Sequence, residues 1–371
     1  MDGRELWKSD GTNAGTVMVK DISPSDADPE NLTVVNGTLF FAADNGTDGK
    51  ELWKSDGTNS GTVMVRDINT MGNANPQSLT DLNGTLLFSA FSSTSGQELW
   101  RSDGTNAGTY IVKDINSSSS SPNNFIAIGS TLFFSATDNT NGMELWKSDG
   151  TNAGTDIVKN IHPTGNSRPS NLTNAGGTLF FRANDSTNNY ELWASDGTEA
   201  GTVMVKDIHP TDQSFPQYLT DVNGTLFFSA NDGIHGKELW KSDGTSAGTT
   251  MVKDIYQNNH SNPISLVNMN GTLFFNANTT HNDIFYRYAF FKLGKCTTTN
   301  EVATNMLNPY KGNTLSFNSQ TQVGNSDETC RCDIFNNLIE TTEAQAPNPV
   351  TGDISTYLWI DDVQDTDFVK R

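Results

Sequence analysis

Glu51-Leu-Trp-Lys-Ser-Asp-Gly-Thr58, followed two residues later by Gly61-Thr62, is a phrase that recurs almost unchanged from residues 5, 98, 144, 191 and 238. Its tryptophans, Trp7, Trp53, Trp100, Trp146, Trp193 and Trp240, lie 46, 47, 46, 47 and 47 residues apart, and only Trp359 stands outside the series. Self-similarity at a period near 45 residues marks a repeat architecture, in which one supersecondary unit stacks on copies of itself to bury a shared core. Outward from the phrase, one full unit runs from Asn31 to Ile68. Residues 31–35 read as a first strand, and Asn36-Gly37 as a hairpin turn, because both residues accept positive φ. Residues 38–42 make a second strand, a polar loop over 44–49 leads to a third at 51–55, Asp56-Gly57-Thr58 turns the chain, and 62–68 is the fourth.

The spaces between units keep register as well. Pro29, Pro76, Pro122, Pro169, Pro216 and Pro263 each precede by three residues the apolar residue that opens the next unit. The strands are rich in Val, Phe, Trp and Thr, as half-buried pleated surfaces require, and the first 280 residues show no helical periodicity. Four-stranded antiparallel units at this period predict an all-β fold, a β-propeller. Residues 3–22 hold only a third and a fourth strand, and residues 264–277 only a first and a second. Joined, the halves give five whole blades and one composite closing blade, six in all, and remove two open sheet edges. Seven blades is the alternative, since 284–293 is a strand where the next Glu-Leu-Trp is due and Asn313-Thr-Leu-Ser-Phe317 echoes Thr-Leu-Phe-Phe. The expected organisation is a propeller over 1–279, a non-repeat β-rich segment carrying the cysteines over 280–339, and an extended linker with a C-terminal strand over 340–371.

Composition narrows the classes. The 371 residues carry a formal charge of −20, which argues against nucleic acid, whose phosphates need clustered Lys and Arg. No run of 18 apolar residues is present, so insertion into a membrane as a helix is not expected. Residues 2–5 match residues 48–51, so the sequence starts in mid-repeat, which suggests a processed or incomplete N-terminus. The three cysteines, Cys296, Cys330 and Cys332, all lie outside the repeats and are disulfide candidates, with one thiol left over. Cys330-Arg331-Cys332 lacks the two-residue gap of a zinc ribbon.

The phrase at 5–12 with Gly15-Thr16, and its five later copies, resembles the repeat of the ELWxxDGT repeat proteins, over roughly residues 3–279. That resemblance implies a secreted or surface-associated propeller; it brings no general activity and no catalytic residues, and it ends at residue 280.

Candidate sites follow from the residues themselves. Asp10, Asp56, Asp103, Asp149, Asp196 and Asp243 recur in register; each serves a turn by accepting backbone amides beyond it, and one carboxylate per loop is a poor calcium site. The phrase also suggests the Asp-box of sialidase-like propellers, but its spacing differs and the few arginines form no clamp. The loop 43–48 is the most oxygen-rich, and Asp44 with Asp48 is the metal candidate, with calcium as the ion. The tryptophans are expected to wedge between neighbouring sheets rather than to stack sugars. Among eleven Asn-x-Ser/Thr sequons, Asn36, Asn83, Asn223 and Asn270 are hairpin turns, which leaves Asn45, Asn116, Asn184 and Asn278 as glycosylation candidates on loops expected to be exposed. No Ser-His-Asp order, phosphate loop or His-Glu-x-x-His phrase occurs, so no enzyme is expected. The strand 354–360, hung on a linker with Pro347 and Pro349, cannot stabilise itself alone, and Leu358, Trp359 and Ile360 are the assembly candidates. The functional expectation is therefore an extracellular or cell-surface structural or adhesive protein, the self-assembling subunit of a fibre whose partners are other copies of itself. The alternative is a lectin-like or calcium-binding propeller that holds glycans on its rim loops.

Overall fold

The computed structural model describes residues 3–257 and 259–279, together with the backbone of five short strands, Ala289–Leu293, Met306–Leu307, Thr314–Leu315, Leu358–Ile360 and Phe368–Lys370. The fold is all-β and propeller-like. The phrases starting at residues 51, 98, 144, 191 and 238 each sit on the third strand of a four-stranded antiparallel sheet. The first full sheet comprises Glu30–Val35, Thr38–Asp44, Lys50–Ser55 and Val63–Arg66, paired in that order. Four more sheets of the same order span residues 77–113, 123–159, 170–206 and 217–253.

Why these residues form this sheet is visible in its turns. Asn36 takes φ 48° and Gly37 φ 77°, the left-handed pair that a tight hairpin needs. At the other turn Asp56 Oδ1 accepts from the Thr58 amide at 2.8 Å and from its hydroxyl at 2.7 Å. Ser55 and Thr62 hydroxyls meet at 2.7 Å beneath it, so the phrase folds on itself. Gly61 is required because an added Cβ would lie 2.1 Å from the Asp56 carboxylate. The third and fourth strands pair with a bulge between Leu52 and Trp53, which is repeated in every full sheet.

The core lies between sheets. Trp100 packs with Leu86, Phe88 and Ala90 against Val35, Phe40, Leu52, Val65 and Ile68 of the preceding sheet, and the other junctions copy this set. The five tryptophans of the full sheets are 5–6% exposed, as wedges should be. Cations tie the outer strands. Lys113 Nζ donates to Thr155 O at 2.6 Å and Lys206 Nζ to Thr249 O at 2.8 Å, each ammonium also lying over the tryptophan of the next sheet. Lys54 and Lys147 reach the turn carbonyls of Gly104 and Gly197, each at 2.8 Å.

The ends depart from the composite closing blade expected of the sequence. Leu6–Lys8 and Val17–Lys20 form a two-stranded sheet of their own and do not pair with 264–277. Beside Thr272–Ala277 the third position is taken by Ala289–Leu293, with Phe275 opposite Phe291 just as Phe41 stands opposite Trp53. Trp7 is accordingly 58% exposed instead of resting on the 272–275 strand. Leu358–Ile360 then pairs with Ala289–Leu293 through Phe290 and Leu358, and with Phe368–Lys370. No helix among the described residues is long and apolar enough to cross a membrane.

Candidate functional site

The phrase's first residue, which sequence reasoning passed over, is the most deeply engaged polar group of the unit. Glu144 is fully buried; its carboxylate accepts from the amides of Ile161 at 2.8 Å and Ser167 at 3.1 Å and from the Ser167 hydroxyl at 2.6 Å. Glu51, Glu98, Glu191 and Glu238 do the same for their own linkers. Burial pushes these carboxyls up, to about 7 for Glu51, Glu144 and Glu191, against the opposing pull of the donated hydrogen bonds. Each glutamate thus clamps the third strand to the segment leading to the next sheet. The clue in the sequence is an acid recurring beside two apolar residues in mid-strand.

The candidates named from sequence fall in separate places. The turn aspartates are exposed and held below the usual carboxylate range by Thr hydroxyl and amide donors, as at Asp103 and Asp149. Asp44 accepts from the Gly46 amide at 2.7 Å and Asp48 from the Asn45 side chain at 2.7 Å, so each serves its own loop rather than converging on one point. Among the described residues no group of three His, Cys, Asp or Glu side chains is placed to hold a metal. The glycosylation candidates differ in exposure. Asn116 is buried, with its side chain bonded to Thr137 O at 3.3 Å and to the Ser118 amide at 3.0 Å, while Asn45, Asn184 and Asn278 are half-buried. Cys296, Cys330 and Cys332 lie outside the described residues.

One place breaks the repeat in several positions at once, at the junction of the fourth and fifth full sheets. Arg182 stands where the sister sheets have Ala42, Ser89, Ser135 and Ser229, and Tyr190 where they have Lys50, Gln97, Met143 and Lys237. Phe215 replaces Asn75, Ser121, Arg168 and Asn262. The three side chains meet. Tyr190 and Phe215 stack with centroids 5.9 Å apart and planes at 15°, and the Arg182 guanidinium lies 5.2 Å and 5.9 Å from the two rings. Arg182 Nε donates to Ser170 Oγ at 3.2 Å, and the group has no carboxylate partner among the described residues.

Two further features mark the place. Phe215 holds φ 46° and Tyr218 φ 56°, in the left-handed region that suits Asn and Gly but penalises a bulky aromatic. Both are exposed, at 39% and 45%. On the same rim Lys237 donates to Gln217, whereas the equivalent Lys50 pairs with Glu30 at 3.2 Å. Beside Gln217 across the strands, the buried Ser229 hydroxyl has no partner. Burial pushes both Arg182 and Lys237 down, and the charge of Arg182 lowers Lys237 further. An anion arriving here would relieve that repulsion.

No protein-family model and no curated protein matches the chain. Solved structures do. A crystal structure of a mutant puromycin hydrolase complexed with PGG is 14% identical, with a TM-score of 0.41, covering 79% of this chain and 50% of that one. Puromycin hydrolase itself is 12% identical with a TM-score of 0.38, covering 79% and 55%. A puromycin-hydrolyzing peptidase of Mycobacterium tuberculosis is 8% identical with a TM-score of 0.40, covering 86% and 50%. The chain therefore spans about half the length of the solved structures it matches.

The functional expectation drawn from the sequence needs correction. The three similar structures named above are puromycin hydrolases and a peptidase, and none of the three is a fibre subunit, adhesin or lectin. The fibre also rested on Leu358, Trp359 and Ile360 reaching another copy, and their strand is paired within a sheet of its own chain. A free strand end does not stay free when an edge of its own last sheet is in reach.

Proposed function

We propose that this chain is a non-catalytic peptide-recognition module, in which the shared residues of the repeat build the scaffold and the departures from the repeat build the binding surface. The observation that carries this reading is the Arg182–Tyr190–Phe215 cluster. The repeat's own polar groups are consumed in turns, clamps and rungs, whereas this cluster places a cation and two stacked rings, one of them on a left-handed residue, on a surface that the sister sheets fill with small or flexible side chains. Exposed aromatic and arginine side chains are the residues that dominate protein-binding surfaces.

The finer architecture that fits is a closed ring in which the unit starting at Ile264 keeps its own third strand, so that the hairpin of residues 6–20 belongs to a seventh unit. The apolar residues left exposed at the two ends, Trp7, Leu32 and Val34 at one and Val267 and Met269 at the other, occupy the positions that face a neighbour at interior junctions. Small-angle X-ray scattering tests the ring, since an open arc in solution would overturn closure.

The repeat supplies a control for the recognition reading. A triple variant, Arg182→Ser, Tyr190→Gln and Phe215→Asn, installs residues already used at these positions by sister sheets. It should melt at or above the native temperature and lose the peptides that the native chain retains on a random peptide array. Identical retention by both proteins would remove the cluster as the binding surface.

A further inference from the structure

The chemistry of the cluster names the ligand more closely, and this step rests on the recognition reading above. We infer that the junction of the fourth and fifth sheets binds a peptide carboxylate flanked by an apolar side chain, with Arg182 on the carboxylate and Phe215 under the flank.

Charge decides the first half. Arg182 is half-buried, and its Nε is committed to Ser170, which leaves the two terminal nitrogens without a hydrogen-bond partner among the described residues. Those two groups form the fork that matches the two oxygens of a carboxylate. The guanidinium cannot swing freely, because Tyr190 and Phe215 lie against it and Ser170 fixes its inner nitrogen. A donor held in place loses little entropy on binding. Lys237 adds a second positive charge on the same rim, in a chain whose net charge is −20. The carboxylates nearest in sequence do not serve it. Asp185 accepts from Thr187 and Asn188 of its own loop, Glu191 and Glu238 point into their own sheets as clamps, and Asp232 is held by His235 at 2.7 Å.

The walls decide the second half. A sugar would need a fan of free polar side chains for its hydroxyls, and, the tyrosine and Ser229 hydroxyls aside, the neutral polar groups near the cation are already engaged, Ser170 by Arg182 and Gln217 by Lys237. Phe215 carries no hydroxyl, and the rings of Phe215 and Tyr190 are turned onto each other. Phe215 and Tyr218 are both exposed on one short stretch, 215–218, that opens the inner strand of the fifth sheet. Phe215, lying against the guanidinium, provides an apolar surface next to a cation, which suits a peptide's apolar residue beside its terminal or side-chain carboxylate.

The backbone is left-handed here in every sheet: Phe215 at φ 46° stands where Asn75, Ser121, Arg168 and Asn262 take 46–48°, so the turn belongs to the repeat and only the bulky ring, poorly suited to it, is new. Phe215→Asn should therefore raise the melting temperature while it removes binding. A residue placed only to fill the junction would give the reverse.

The test is isothermal titration of the full chain with three probes: N-acetyl-Leu-Phe bearing a free terminal carboxylate, its terminal amide, and N-acetyl-Phe-Asp amide. A glucuronate-terminated disaccharide is the counter-probe. The free acid should bind, the terminal amide should bind about tenfold or more weakly, and Arg182→Ser should cost about the same factor, as expected for a hydrogen bond to a charged group. Binding of the Asp peptide at equal strength would keep the carboxylate and show that a side-chain carboxylate serves as well as a chain end. Equal binding of acid and amide, or binding of the disaccharide alone, overturns the inference. Its failure stays separate from that of the wider reading: retention of array peptides that still depends on Phe215 would leave a recognition surface without a carboxylate pocket.

Discussion

Trp146 and Trp7 belong to the same phrase, yet one is 5% exposed and the other 58%. Trp146 packs with Leu132, Phe134 and Ala136 against Leu87, Leu99, Val112 and Ile115 of the preceding sheet, and Lys113 lies over its ring at 5.9 Å. Trp7 has the same strand and the same bulge but no described sheet behind it. The phrase therefore fixes a local shape, and only a neighbour converts that shape into a core. Repeat arrays gain stability in this way, through nearest-neighbour interfaces rather than through each unit alone.

The sharpest way to break the comparison is to remove both rings. Trp146→Ala should cost about 3–5 kcal/mol in equilibrium unfolding, the range for emptying a large aromatic site. Trp7→Ala should cost less than about 1 kcal/mol, since little burial is lost. Equal losses would mean that Trp7 rests on a neighbour after all, and would favour ring closure in solution.

The glutamate clamp ranks next. Glu144→Ala strands the Ile161 amide, while the Ser167 amide keeps Met143 O at 2.9 Å, at about 1–3 kcal/mol by the usual cost of a stranded buried donor. Amide exchange measured at Ile161 should rise in the variant; unchanged protection would show that the clamp is dispensable.

How much of this was legible beforehand differs by residue. The four strands, the Asn36-Gly37 hairpin and the Trp wedge follow from local chemistry repeated in register, so sequence reading reached them. The composite blade failed because residues 284–293 lack the Glu-Leu-Trp letters, although Phe290 and Phe291 take the same places in the ladder. The Glu clamp was hidden because its partners lie 17 and 23 residues onward, too far for a local pattern. The Arg182 cluster was hidden because it is made of departures from a consensus, and a search for repetition discards departures.

Acidity separates the two kinds of carboxylate. Glu51, Glu144 and Glu191 sit at about 7 in the folded chain against 4.5 when unfolded, so the native state binds more protons between those values. Stability must then fall as pH rises from about 4.5 to about 7. The turn aspartates are shifted down and act with the opposite sign, adding stability above their unfolded pKa of 3.8 that is lost as pH falls below it. The melting temperature should therefore peak on the mildly acidic side and decline toward neutrality. Glu144→Gln should flatten that decline by one group's share, and an unaltered slope would refute the assignment.

The smallest effect is expected where the two regions are alike. Asp149 Oδ1 accepts from the Thr151 amide at 2.8 Å and its hydroxyl at 2.7 Å; Asp10 does the same with Thr12 at 2.9 Å and 2.8 Å. Both carboxylates are exposed, and the bonding lies within the turn. Asp10→Ala and Asp149→Ala should each lower the melting temperature by about one to two degrees, and by the same amount. There is one way for them to differ. The carbonyl of Gly150, next to Asp149, accepts from Arg101 of the preceding sheet at 3.1 Å, whereas Gly11, next to Asp10, has no preceding sheet among the described residues. If Asp149→Ala costs several times more than Asp10→Ala, the turn is a member of the junction and its geometry is set by Arg101. Equal costs would confine the aspartates to local turn chemistry and leave the clamps, wedges and cation rungs as the bonds between sheets.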